Sequence, residues 1–258
     1  MHSFTSMWPL TLACGLAFGI AFGLAGVGSV FAVPILVYAV GLTAHEAVCV
    51  AMITVAFLSA LGSSLRWKRG EMDLRIGASV AAMGILGAPI GALISRFLSG
   101  RWLMLVFACF VIFVAIRMLI QGREPSIPGA HALAGKGAHR LALALAGLAT
   151  GILAGLLGVG GLLIVPSLVI LGGIDIHRAI ATSLPVIFTI SLSATSVHLL
   201  IGQRIPAPTT VLFISGGLFG MAAGMWFRKR LSEQRLQFAF AVIMLAIAAF
   251  TLARNILW

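Results

Sequence analysis

The groups in this chain best placed to do chemistry belong to its backbone. Residues 155–166 read GLLGVGGLLIVP, and residues 23–34 read GLAGVGSVFAVP. Each stretch interrupts a charge-free apolar run with clustered glycines and then a proline. Glycine inside a helix costs about 1 kcal/mol relative to alanine, so the clusters mark places where a helix is expected to stop. Inside a bilayer, backbone freed in this way is tolerated only where protein or a watery cavity satisfies it. A half-helix restarting after Gly28 or Gly160 would turn unbonded amides and a positive dipole end towards an anion. Gly28, Ser29, Gly160 and Gly161 are the candidate backbone donors, presented in pairs near the membrane midplane. The competing use of such glycines is close helix packing. That use is assigned to Gly15/Gly19/Gly23, Gly87/Gly91 and Gly216/Gly220/Gly224.

Hydroxyls form the second group. Thr182 and Ser183 open an apolar run and are candidate substrate contacts, and Ser191, Ser193, Thr195 and Ser196 follow along it. Helical hydroxyls often bond their own helix's carbonyls instead. His198, near the end of the same run, reads as an interfacial side chain reaching headgroups. His45 and His177 hold equivalent positions before a helix, where capping or interfacial placement is the favoured reading over a ligand role. The six acids, Glu46, Glu71, Asp73, Glu124, Asp175 and Glu233, all fall at or between run ends. An intramembrane carboxylate for proton coupling is therefore not expected. Protons carried by histidine, or a sodium ion held by carbonyls and hydroxyls, remain open as coupling ions. No paired carboxylates, HExxH, GxSxG or Walker A sequence is present, so neither an enzyme nor an ATP-driven pump is expected. No cofactor or metal is expected. Cys14, Cys49 and Cys109 are far apart within apolar runs, a spacing that fits neither a disulfide framework nor a zinc site.

The elements that must position these groups are membrane helices. Of 258 residues, 61% are hydrophobic and 9% charged, against about 25% charged in soluble domains. The charge-free runs cover 8–41, 47–65, 76–95, 102–116, 141–174, 179–201, 205–227 and 236–253. A crossing needs about 20 apolar residues, so the lipid bilayer is the expected surroundings. The net charge of +11 sits in short loops, where it reads as a topology signal and not as a nucleic-acid surface.

The run pattern is long, short, short, short, and it occurs twice. Displaced by 132 positions, 19–47 matches 151–179 at 14 of 29 places, including Gly23/Gly155, Gly26/Gly158, Gly28/Gly160, Pro34/Pro166, Gly41/Gly173 and His45/His177. Ser59/Ser191, Ser64/Ser196, Gly70/Gly202 and Gly84/Gly216 continue the match. The chain is thus expected to hold repeat 1 at 8–121, a surface linker at 122–137 and repeat 2 at 138–258. If each long run crosses once, the halves are parallel and the 17 Lys and Arg divide 10 to 7. If each long run dips in and returns, the halves are inverted and the division is 13 to 4. Cationic loops stay cytoplasmic, which favours inversion with both termini outside the cytoplasm.

These residues resemble the sulfite exporter TauE/SafE family of membrane anion transporters. The resemblance rests on GLLGVGGLLIVP at 155–166, on HRAIATSL at 177–184, and on the duplicated arrangement with its GxxD-like Gly70–Asp73. It implies an inner-membrane permease for a small anion, usually sulfur-containing, such as sulfite, a sulfonate or sulfoacetate. The first half departs from the second with Ser29 for Gly161 and with Cys49-Val50-Ala51-Met52 for Ala181-Thr182-Ser183-Leu184. The expected protein is an all-α polytopic permease whose two repeats rock to expose a site between the glycine breaks. A passive anion channel and a membrane scaffold are the alternatives, and a homo-oligomer is left open.

Overall fold

The computed structural model describes residues 4–25, 29–67, 70, 72–121, 136–159, 161, 163–228 and 233–257. Its elements are helices, with no strand among the described residues. In chain order they are α1 (Phe4–Ala25), α2 (Ser29–Pro34), a π-helical turn (Ile35–Ala39), α3 (Ala44–Trp67), α4 (Leu74–Phe97), α5 (Gly100–Gln121), α6 (Lys136–Leu157), α7 (Ile164–Ile170), α8 (Ile176–Leu200), α9 (Ala207–Arg228) and α10 (Glu233–Leu257). Six of them, α3, α4, α5, α8, α9 and α10, contain described segments long and apolar enough to cross a membrane. The described apolar parts of α1 and α6, Trp8–Leu24 and Leu141–Leu157, are shorter. The expected linker lies outside the described residues as far as 135, and its last two residues already belong to α6.

The duplication extends to local bonding. Offset by 132, the bounds of α1 fall on those of α6. The Val40 N–H donates to the Ile35 carbonyl at 3.2 Å, and the Gly172 N–H donates to the Ser167 carbonyl at 3.1 Å. One step wider, Leu42 bonds Leu36 and Ile174 bonds Leu168. Between these bonds Gly41 and Gly173 have φ of 81° and 63°, the left-handed region that glycine enters without a Cβ penalty.

The compact units do not follow the repeats. One contains Met1–Ala47, Leu98–Ile127 and Ala207–Trp258, and the other contains Val48–Phe97 and Pro128–Pro206. In the second unit, a Cβ built on Gly147, Gly151 or Gly155 of α6 would strike the backbone of Val80, Gly84 or Ala88 of α4. Both series ascend together, so α4 and α6 run parallel. The same helix α4 also meets α8, with Gly77 against Thr182, Gly84 against Ile190, and the Ser193 hydroxyl donating to the Ile85 carbonyl at 3.0 Å. Hence α4, α6 and α8 all point one way, and the stretch holding α7 returns the chain to the end where α6 began.

The first unit is built on a matching seam. Gly15, Gly19 and Gly23 of α1 abut the backbone of Phe213, Gly217 and Met221 of α9, while Gly216, Gly220 and Gly224 abut Leu12, Leu16 and Ile20. These helices are parallel too. The glycines assigned to packing from sequence therefore do pack, and Gly23 and Gly155 of the two motifs join them. The seams also correct the repeat alignment. Gly84, Gly87 and Gly91 correspond to Gly217, Gly220 and Gly224, not to a series beginning at Gly216, because one extra residue enters between Gly202 and the seam of α9. Beside the seam, Phe18 stacks on Phe213 at 5.3 Å. Asn255 Nδ2 donates to the Tyr38 hydroxyl at 3.0 Å, holding the π-helical turn to α10.

On α4 the buried residues are small apart from Val80 (Gly77, Gly84, Gly87, Ala88, Gly91, Ala92, Ser95). The bulky ones, such as Leu86, Ile90 and Leu93, are exposed. That inversion of the soluble pattern suits a helix that packs by close backbone approach and shows its large side chains to lipid. Gly151→Ala and Gly19→Ala should each lower stability by about 1–3 kcal/mol, as overpacked sites do. Leu145→Ala, at an exposed position, should stay within about 0.5 kcal/mol of the parent. Thermal unfolding of the three variants in detergent checks this, and a Gly151→Ala protein melting with the parent would contradict the seam.

Candidate substrate site

Both glycine clusters separate two helices, as their composition requires. In the second half α6 ends at Leu157 and α7 begins at Ile164. The Gly158 N–H still bonds the Ala154 carbonyl at 2.9 Å, while its φ of 75° turns the chain out of the helix. This is the left-handed helix stop that glycine favours. Pro166 falls in the first turn of α7, where a missing N–H has no partner to lose. In the first half α1 ends at Ala25 and α2 begins at Ser29.

Of the candidate donors, Gly28 and Gly160 lie outside the described residues. Gly161 is buried in the turn between α6 and α7. Ser29 is fully buried on the first turn of α2, and its hydroxyl has no hydrogen-bond partner among the described residues.

Thr182 and Ser183 are both buried on α8. Thr182 Oγ1 accepts the Asp73 backbone N–H at 2.9 Å, and Asp73 Oδ1 in turn accepts the Ile76 N–H at 3.2 Å. The GxxD-like Asp73 therefore caps α4, and Thr182 ties that cap to α8. This bond uses Thr182 as acceptor and leaves its proton available for another group. Ser183 donates to the Ile180 carbonyl of its own helix at 2.9 Å, the local bonding weighed against a substrate role. His45 and His177 are the second residues of α3 and α8 and are not the caps. Thr43 and Glu46 form a capping box on α3, and Asp175 accepts the His177 backbone N–H at 3.0 Å on α8.

The structure corrects the reading of His198. It is 1% exposed, and its Nε2–H donates to the Gly155 carbonyl at 3.0 Å. A helix that stops leaves its last carbonyls without intrahelical donors. Breaking α6 at Gly158 makes the Gly155 carbonyl such a group, and His198 satisfies it. A snorkelling side chain would have left that acceptor buried and unbonded. The available sequence signal was the spacing of Ser191, Thr195 and His198 on one helical face.

This bond places the end of α6 beside the last turns of α8. Thr182 and Ser183 lie 16 and 15 residues before His198, about 24 Å away along the axis at 1.5 Å per residue. The structure thus brings His198 to the second glycine break and sets Thr182 and Ser183 near the opposite end of α8.

Among the described residues, six helices long and apolar enough to cross a membrane, with a helix break at each glycine cluster, define a polytopic membrane protein. Residues 11–251 match the family described as sulfite exporter TauE/SafE, and the chain belongs to that family. It is 29% identical over 260 residues to a "Probable membrane transporter protein" of Xylella fastidiosa strain Temecula1, covering 95% of both chains. To the protein of the same description from strain 9a5c it is 30% identical over 259 residues, again covering 95% of each. No solved structure matches. The protein is accordingly a multi-pass membrane transporter.

Replacing His198 by leucine keeps an apolar body but leaves the Gly155 carbonyl unbonded. A buried unsatisfied acceptor costs about 1–3 kcal/mol, so H198L should melt measurably lower in detergent. A variant as stable as the parent would show that the bond does not hold the break.

Proposed function

We infer that this protein is a secondary transporter of a small oxyanion, probed best with sulfite and simple sulfonates, working by alternating access of two inverted repeats. The observation that carries the substrate reading is Ser29. Its hydroxyl is buried without a partner among the described residues, beside the first glycine break, where an anionic oxygen would supply an acceptor. Gly28 at the first break, and Gly160 and Gly161 at the second, are the candidate backbone donors, while Thr182, with its unused hydroxyl proton, is a separate contact about 24 Å along α8 from His198. Ser183 would join only by exchanging its bond to the Ile180 carbonyl for one to the anion. The family's description as a sulfite exporter supports a sulfur oxyanion.

Inversion is supported by helix direction. Were each long run a single crossing, α6 and α8 would be antiparallel, whereas they run parallel. With a returning hairpin in each half, the third helix of one repeat parallels the first of the other only if the repeats are inverted. The pairs α4/α6 and α1/α9 both do so. Such repeats place substrate at broken helices and move against one another. The 13 to 4 division of Lys and Arg supports an orientation with both termini outside the cytoplasm, and the family's description as an exporter supports the inner membrane.

Two measurements test this reading. Reporter fusions should place both termini outside the cytoplasm, and a cytoplasmic terminus would reverse the orientation. Purified protein should gain thermal stability with one of sulfite, sulfate, sulfoacetate, taurine or acetate and none with choline, a cation too large and too weakly coordinated to serve as a coupling ion. Ligand at 100 times its dissociation constant adds about 2.7 kcal/mol. Ser29→Ala and Gly160→Ala should weaken that response about tenfold. Conductance without saturation would favour a channel, and no response to any anion would favour a scaffold.

A further inference from the structure

Hydroxyls on the helices of this protein follow one habit, and a few depart from it. Thr54, Thr150, Ser167, Ser183, Thr189 and Thr251 each donate to a carbonyl three or four residues earlier, at 2.7–2.9 Å. Ser59 on α3, and Ser191 and Thr195 on α8, do not. All three are at least nine-tenths buried, and none of their hydroxyls has a hydrogen-bond partner among the described residues. A carbonyl of the same helix is the nearest and cheapest acceptor for a helical serine or threonine. Three buried hydroxyls turned away from it in a lipid-embedded helix bear an unmet cost of about 1–3 kcal/mol each.

Their positions are ordered. Ser59 and Ser191 are the counterparts of one another under the 132-residue offset. Each is the sixteenth residue of its helix, in helices of 24 and 25 residues, so each lies in the body of a membrane span. On α8, Thr182, Val186, Ile190 and Ser193 make up the face turned to α4. Ser191, Thr195 and His198, spaced i, i+4 and i+7, lie on the opposite face. His198 bonds the end of α6, so the unbonded hydroxyls share the face of α8 that borders the second glycine break. Thr195 is about one turn from His198 and Ser191 about two turns.

We propose that the hydroxyls of Ser191 and Thr195 form a mid-span station for the oxyanion beside the second glycine break, and that Ser59, the counterpart of Ser191 in the other repeat, marks the equivalent station on α3. What each hydroxyl lacks is an acceptor for its proton, and an anionic oxygen is an acceptor. A cation would find no neutralising carboxylate there, since every acid of the chain falls at or between the ends of the apolar runs. The inference rests on the transporter reading and adds to it residues other than Ser29, Thr182 and Ser183. No bond is made or broken at this station, and the ion only exchanges hydrogen-bond partners.

The experiment compares Ser191→Ala, Ser59→Ala and the double variant with Ser183→Ala, using thermal unfolding without ligand and then with sulfite, sulfoacetate or acetate. Without ligand, Ser191→Ala and Ser59→Ala should melt at or above the parent temperature, because each removes an unsatisfied buried group. Ser183→Ala, which loses a made bond, should melt lower. With the anion that stabilises the parent, each single variant should need roughly tenfold more ligand for the same shift, and the double variant more than either. Variants that lose stability without ligand as Ser183→Ala does would overturn the station, because the hydroxyls would then be bonded within the protein. So would variants with the parent's full anion response, while leaving the transporter reading intact. A parent that responds to none of the three anions would overturn that reading and the station with it.

Discussion

Helix backbones in this protein approach one another too closely for side chains to intervene. Along α4/α6 and α1/α9 the glycines present bare Cα atoms to the opposite helix's carbonyls, and any Cβ would collide. Lipid is as apolar as leucine, so helices in a membrane gain little by hiding large side chains from it. Close contact and dispersion between backbones take over that role. The remainder follows from this constraint: the parallel direction of the paired helices, the lipid-facing positions of the bulky residues, and the composition of each unit from helices of both repeats.

The constraint also explains why a single glycine-rich motif serves two ends. Gly23 and Gly155 are seam residues, whereas Gly158 three positions later stops the helix. The seam holds α6 rigidly up to its last turn, and the break frees a carbonyl at a fixed place. His198 meets that carbonyl from α8, so a loss of regular helix in one element is answered by a side chain of another. On the far side of the molecule's second unit, Thr182 does the same for the start of α4 by accepting the Asp73 N–H. Both ends of α8 are thus fastened through polar bonds to other elements, with unbonded hydroxyls between them. A binding site in a membrane protein needs polar groups whose partners are absent from the resting fold, and the same helix carries both kinds.

Much of this was legible in the sequence. Length, apolar content and the spacing of charges specify an all-helical membrane protein, since only helices and closed barrels satisfy backbone groups in lipid. The duplication specified two equivalent halves, and the glycine clusters specified where helices stop, because glycine's cost in a helix is a local property. Packing glycines at i, i+4 spacing, such as Gly15 and Gly19, were readable for the same reason. His198, Thr182 and the alignment of Gly84 were not. A histidine in an apolar run looks the same whether it faces headgroups or a carbonyl, and its partner, Gly155, is 43 residues away in sequence. The hydroxyl of Thr182 found its partner 109 residues away. The one-residue insertion before the α9 seam leaves the two halves similar in composition, so only the facing carbonyls reveal it. What the sequence determined rests on local costs, of glycine in a helix and of charge in a membrane. What the tertiary structure alone decided is which buried polar groups meet and which are left without partners, because that depends on helices brought together from distant parts of the chain.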